Sequence, residues 1–168
     1  MGRARRLIET ALVWVGKIEL AICRRPRVLL AVTSLTSDRL LRTFSGGITP
    51  LVIAAWMPNL SSPRFIMRCL IEGVVAVKGS PEDILDAHRP TAMLIDGFGN
   101  PVIAEFARLA KLRGVKVFAI WHGPYYQDCK KDIFEHVDII LSWGKGNEEW
   151  LEANDVRLPI IRVGNPIA

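Results

Sequence analysis

The run Val115-Lys116-Val117-Phe118-Ala119-Ile120-Trp121, followed at once by His122-Gly123, decides the fold class of this chain. It is apolar apart from Lys116, and Gly114 bounds it on the other side. A short continuous apolar run bounded by turn residues reads as a strand buried on both faces. Parallel sheets covered by helices need such strands. Comparable runs recur along the chain at Val28–Val32, Leu51–Trp56, Val74–Val77, Ala92–Ile95, Ile139–Trp143 and Ile160–Val163.

Helix signals lie between these runs. Ser62-Pro63 supplies an N-cap and a proline at the first helical position. The stripe of that helix is Phe65, Ile66, Cys69 and Leu70, with Gly73 to end it. Ser80-Pro81-Glu82-Asp83 opens a second helix with a capping-box-like acid. Asn100-Pro101 opens a third, with Val102, Ile103, Phe106, Leu109 and Ala110 on one face and Gly114 at its end. Thr36–Phe44 reads as a further helix, closed by Gly46-Gly47, and Asn147-Glu148-Glu149 opens the last. Strand and helix alternate, and right-handed crossovers then place helices on both faces of one sheet. The expected fold class is α/β, a Rossmann-like parallel sheet with helices on both faces.

A basic amphipathic helix precedes it. Residues 1–25 form this segment, and residues 26–168 form the Rossmann-like domain. Leu7, Ala11, Trp14, Ile18 and Ala21 share one face of the leading helix, among Arg3, Arg5, Arg6 and Lys17. That face is expected to dock on the sheet or a neighbour, or to lie on an anionic membrane surface. Glu9, Lys17 and Glu19 break the apolar run that a secretory signal or a spanning helix would require.

The chain has 168 residues, half of them hydrophobic and 23% charged, with a net charge of +5. That suits one folded domain with a real core. The positive balance favours anionic partners, though much of it lies in the first segment. No nucleic-acid partner is expected, because the basic residues lack interleaved aromatics on one face. Cys23, Cys69 and Cys129 are widely spaced and odd in number, so they form neither a disulfide framework nor a CxxC metal site. A reducing, cytoplasmic compartment follows, and no metal is expected.

In open α/β sheets, ligands bind beyond the carboxyl ends of the strands. The residues found there are therefore the candidate site. The fourth strand ends in Asp96-Gly97-Phe98-Gly99-Asn100, the fifth in His122-Gly123, the sixth in Gly144-Lys145-Gly146 and the last in Gly164-Asn165-Pro166. His122 is the sharpest, since an imidazole at a strand end serves as a general base near neutral pH; the bland alternative is a histidine bonded to a loop carbonyl. Gly97-Phe98-Gly99 is an incomplete dinucleotide fingerprint with Val102 at the third glycine position. Gly144-Lys145-Gly146 lacks the spacing of a P-loop. His88 and His136 read as structural or exposed.

The order and spacing of Val115–Gly123, Val137–Gly144 and Ile160–Pro166 resemble the end of the N-terminal domain of GT-B glycosyltransferase-like enzymes. The CDP-glycerol glycerophosphotransferase and surface-polysaccharide transferase group is the nearest variant, and the UDP-N-acetylglucosamine 2-epimerase-like enzymes are more distant. The resemblance spans residues 90–166. It implies two Rossmann-like domains facing across a cleft, this one binding a sugar or polyol-phosphate acceptor. His122 would be the catalytic base. Gly123, Asp96, Gly97, Gly144 and Asn165 would line the substrate site. The nucleotide-activated donor would bind a C-terminal domain or partner chain beyond these 168 residues, and no other cofactor is implied. The 168 residues alone would then be inactive. Two readings compete with this one: a non-catalytic α/β interaction module held to a membrane or partner by its basic helix, and a flavodoxin-like ligand-binding domain.

Overall fold

The structure is a computed structural model, and it describes residues 2–22, 26–31, 48–53, 62–96, 99–120 and 131–164. Its centre is a seven-stranded sheet in which every pairing is parallel. The strands are β1 (Arg27–Ala31), β2 (Thr49–Ile53), β3 (Val75–Val77), β4 (Ala92–Ile95), β5 (Lys116–Ile120), β6 (Ile139–Ser142) and β7 (Ile160–Arg162). Their spatial order is β3-β2-β1-β4-β5-β6-β7. The chain builds outward from β1 to β3, crosses back, and builds the other half from β4. That reversal defines a Rossmann-like α/β fold.

Among the described residues the helices are α1 (Gly2–Ile22), α2 (Pro63–Ile71), α3 (Pro81–His88), α4 (Pro101–Leu112) and α5 (Lys145–Ala153), with a 3-10 helix at Lys131–His136. Within each strand, successive side chains enter opposite layers. Leu29, Leu51, Met93, Val117 and Ile140 join Ile84 of α3, Phe106 of α4 and Leu151 of α5. Leu30, Val52, Leu94 and Ile120 point the other way, to Leu12 of α1 and Cys69 of α2. The continuous apolar runs of β1 to β6 thus serve two cores at once, as helices on both faces require. The last run differs from expectation: β7 is the edge strand, and Ile160, Ile161 and Val163 are exposed. Each such Leu, Ile or Phe contributes about 1.5–3 kcal/mol by leaving water.

The local signals act mostly as the sequence predicts. Ser80 Oγ accepts from Asp83 N at 3.2 Å, and Asn100 Oδ1 accepts from Val102 N at 2.9 Å. Asp83 differs from a capping box, since its carboxylate accepts from Ser80 Oγ at 2.8 Å rather than reaching back to the cap amide. Gly114 takes a left-handed φ of +72° to close α4. Pro50, which has no amide proton to donate, lies one residue before the β2–β3 ladder begins at Leu51–Val75. The helix expected over residues 36–44 lies outside the described residues.

Leu70 and Val102, expected on the apolar faces of α2 and α4, are exposed because they lie at the margin of the docked stripe. Two further expectations are corrected. α5 begins at Lys145, not at Asn147, because Asn147 serves the turn before the helix: its Oδ1 accepts from Trp143 N at 2.9 Å. The buried face of α1 is also not the expected one. Leu7 and Trp14 are 72% and 66% exposed, and Ala11 is exposed as well, whereas Leu12 is buried with Ile8 and Val13 against the same core. The helix carries two apolar stripes, and the sheet takes the second. The side chains of Ile18 and Ala21 lie outside the described residues.

Ion pairing orients α1. Glu9 bonds Lys78, the residue after β3, at 3.1 Å, which sets this part of the helix at the carboxyl edge of the sheet. Lys17 lies near enough to His88 to lower its pKa, after burial and Arg27. His88 ends α3, and its carbonyl accepts from Nη1 of Arg27, where β1 starts, at 3.0 Å. α1 therefore runs antiparallel to the strands, with its N-terminal end toward the carboxyl edge.

Candidate functional site

The crossover from β3 to β4 opens the sheet's switch point between the carboxyl ends of β1 and β4, where α/β sheets take ligands. Asp96 follows β4 there and is fully buried. α4 begins just beyond, so its amide-rich end faces the same edge. A hollow of about 200 Å³ opens at that helix start, with Gly99, Asn100, Asp132 and His136 among its lining. β5 lies beside β4 with Ile95 level with Ala119, so Ile120 reaches the edge next to Asp96. His122 follows two residues later in sequence. His122, Gly123, Gly97 and Asn165 lie outside the described residues. Of the sequence candidates, the structure describes Asp96 at the switch point and Gly144 at the end of β6, two strands away.

The β6 end is tightly organised. Ser142 is fully buried, and its Oγ accepts from Gly144 N at 3.0 Å. Its single proton is shared between Gly144 O at 2.9 Å and Glu148 Oε1 at 3.2 Å. Arg162 of β7 grips the same Glu148 carboxylate with Nε at 2.8 Å and with Nη2. Arg162 chiefly, helped by Ser142, holds the Glu148 carboxyl below its ordinary value, and Glu148 raises Arg162 in return. This network clamps β7 to α5 across β6. Gly144 has φ +155° and ψ −167°, a region open essentially to glycine alone, and a Cβ there would meet nothing within 4 Å. The turn therefore accounts for this glycine without a ligand.

A residue missed in the sequence stands beside it. Trp143 packs against both core layers at the carboxyl end of β6. Its Nε1 is buried with no hydrogen-bond partner among the described residues. A tryptophan closing a buried strand is the signal that was available, because its indole brings an obligatory donor into the core. A second hollow, of about 800 Å³, lies at the far edge of the sheet between α5 and β7, away from the switch point. Its charged lining includes Glu148 with Arg162 and Asp155 with Arg157, paired to each other. Among the described residues, no cluster of His, Cys, Asp and Glu could hold a metal ion.

No family model matches the chain, and no curated protein matches it. Among solved structures, it is similar to the YdjI aldolase from Escherichia coli K12, at 12% identity and a TM-score of 0.31, over 89% of this chain and 70% of that one. A likeness at that level carries no argument about activity. The class is set by the strand order and the two-sided core: a Rossmann-like α/β domain with a preceding helix on one sheet face. Among the described residues, no helix is long and apolar enough to cross a membrane.

Proposed function

We propose that this domain is the acceptor-binding half of a glycosyl- or glycerophosphotransferase of cell-surface polymer synthesis, with His122 as general base. The observation that supports the reading best is the adjacency of β4 and β5. It brings buried Asp96 and the end of the strand that leads to His122-Gly123 to one edge, beside the switch point. An acceptor hydroxyl bound there would lose its proton to His122 as its oxygen bonds to the transferred group, while the bond from that group to the donor's nucleotide breaks and the nucleotide leaves. The sugar or polyol phosphate of the acceptor would lie toward the start of α4, where backbone amides favour anions. The nucleotide-activated donor belongs to a second Rossmann-like domain or partner chain across the cleft. The reading places the protein in the cytoplasm, peripheral to the inner face of the membrane.

Amide NMR on the 168-residue chain tests the acceptor assignment. Glycerol 3-phosphate should perturb Ile95, Asp96 and Ile120 saturably, and CDP-glycerol should bind at least about tenfold more weakly. Tight CDP-glycerol binding without a response to glycerol 3-phosphate would overturn the assignment, as would donor turnover by this chain alone. With a donor-binding domain supplied, His122→Ala should lower turnover by about 10²–10⁴-fold. The second reading, a non-catalytic interaction module, is favoured by one observation, the outward apolar stripe of α1. Retained full turnover in His122→Ala would favour it.

A further inference from the structure

α1 has two apolar stripes, and the sheet uses one of them. Leu12, with Ile8, closes the core, while Leu7, Trp14 and Val15 are left 72%, 66% and 45% exposed. The same sheet face carries α2, which leaves Met67 and Ile71 outward at 55% and 74% exposure. Isolated exposed apolar residues need no explanation, but a stripe along one helix, with a second helix over the same core exposing more, does.

The charges around the stripe select what covers it. Arg3, Arg6 and Lys17 are exposed on α1, and Lys17 Nζ sits 5.8 Å from the centre of the Trp14 ring. α2 adds exposed Arg64 and contains no acidic residue. Glu9 is drawn inward to Lys78 with its side chain 14% exposed, so its charge is spent within the fold. Among the described side chains of α1 and α2, the outward face is therefore apolar and cationic. A second copy docking by two-fold symmetry would bring like cations together. An anionic bilayer offers acyl chains to the stripe and phosphates to the arginines.

We propose that the outward stripe of α1, with Leu7, Trp14 and Val15, lies in the headgroup region of an anionic bilayer, held by Arg3, Arg6 and Lys17. This rests on the peripheral placement proposed above and names its surface and orientation; it does not depend on the transferase reading. The helix lies flat, since none of the described helices suits a span. Its N-terminal end is at the carboxyl edge of the sheet, as the Glu9–Lys78 pair requires. The bilayer thus lies along the sheet face that carries α1 and α2.

The test is co-sedimentation of the 168-residue chain with vesicles of phosphatidylcholine alone or with about 30% phosphatidylglycerol. Binding should require the anionic lipid and weaken with salt. Arg3→Gln with Arg6→Gln should lower partitioning about 25-fold, at about fivefold per charge. Leu7→Glu with Trp14→Glu should abolish it; both positions are exposed, and an unchanged far-UV circular dichroism spectrum checks that the fold persists. Absence of binding to anionic vesicles overturns the peripheral placement together with this inference. Vesicle binding unaffected by either variant overturns the α1 surface alone. Self-association that is lost in Leu7→Glu/Trp14→Glu, without vesicle binding, assigns the stripe to a second copy and also overturns it. No arm of the test requires a donor, an acceptor or turnover.

Discussion

Substituting Gly144 by alanine isolates backbone conformation from packing. An added Cβ meets no atom within 4 Å, so no clash opposes it. The backbone at φ +155° and ψ −167° is nevertheless one that L-residues avoid. Holding alanine there costs about 1–3 kcal/mol. The turn cannot relax cheaply, because three bonds fix it: Trp143 N to Asn147 Oδ1 at 2.9 Å, Gly144 N to Ser142 Oγ at 3.0 Å, and Ser142 Oγ to Gly144 O at 2.9 Å. With a urea m-value of about 2 kcal/mol/M, the midpoint should fall by about 0.5–1.5 M. Gly146 is the control. It lies inside α5, and a Cβ there is equally free of contacts. Gly146→Ala should stabilise by about 0.5–1 kcal/mol, because alanine loses less entropy in a helix than glycine. Urea unfolding followed by circular dichroism reads both. If Gly144→Ala leaves the midpoint unmoved, or the two alanines shift it alike, the conformational account of Gly144 is wrong. A ligand-clearance role for that glycine would then regain its place.

Three further outcomes follow from the same geometry. His88 should titrate below its ordinary 6.5, owing to burial and then to Arg27 and Lys17. The unfolded chain takes that proton more readily, so this histidine opposes folding as pH falls below about 6.5. Lys17→Gln should raise the His88 midpoint in NMR titration, and an unmoved midpoint would contradict the packing of α1. Glu148 is held below 4.5, so its contribution is present above that pH and is lost as pH falls through its folded value. Glu148→Gln should therefore flatten the acid limb of the stability–pH profile, and an unchanged limb would refute the clamp. Asn100→Ala removes the cap on Val102 N and should cost about 1 kcal/mol in urea unfolding, whereas Asn100→Asp should retain most of the stability.

Much of the sheet was legible because a strand buried on both faces has nowhere to place a polar residue. Ala92–Ile95 was read to the residue, and the other strand runs to within a few residues at their ends. Caps at Ser80 and Asn100 were equally legible, since a helix start must satisfy its own free amides from neighbours in sequence. The candidate site was legible in part. Asp96 was placed at a strand end and lies buried at the switch point. Trp143 is not legible, because its donor, unpaired among the described residues, follows from burial between two layers, which no local pattern reports.

Two-sided burial of β1 to β6 and the starts of α3 and α4 were thus settled by the sequence itself, because short-range hydrophobic pattern and capping chemistry suffice for them; the exposure of the edge strand β7 was not. The strand order, the docked face of α1 and the start of α5 were settled only in the folded molecule. Strand order depends on pairings far apart in the chain, such as Leu30 with Leu94. α1 offers two apolar stripes of similar periodicity, and long-range partners, Lys78 for Glu9 and the core around Leu12, choose between them. Asn147 reads as a helix-opening residue until Trp143 N is found on its side chain. β5, the strand that precedes His122-Gly123 in sequence, lies beside β4 and Asp96, and that adjacency, which no stretch of sequence contains, is what supports the proposed site at this edge.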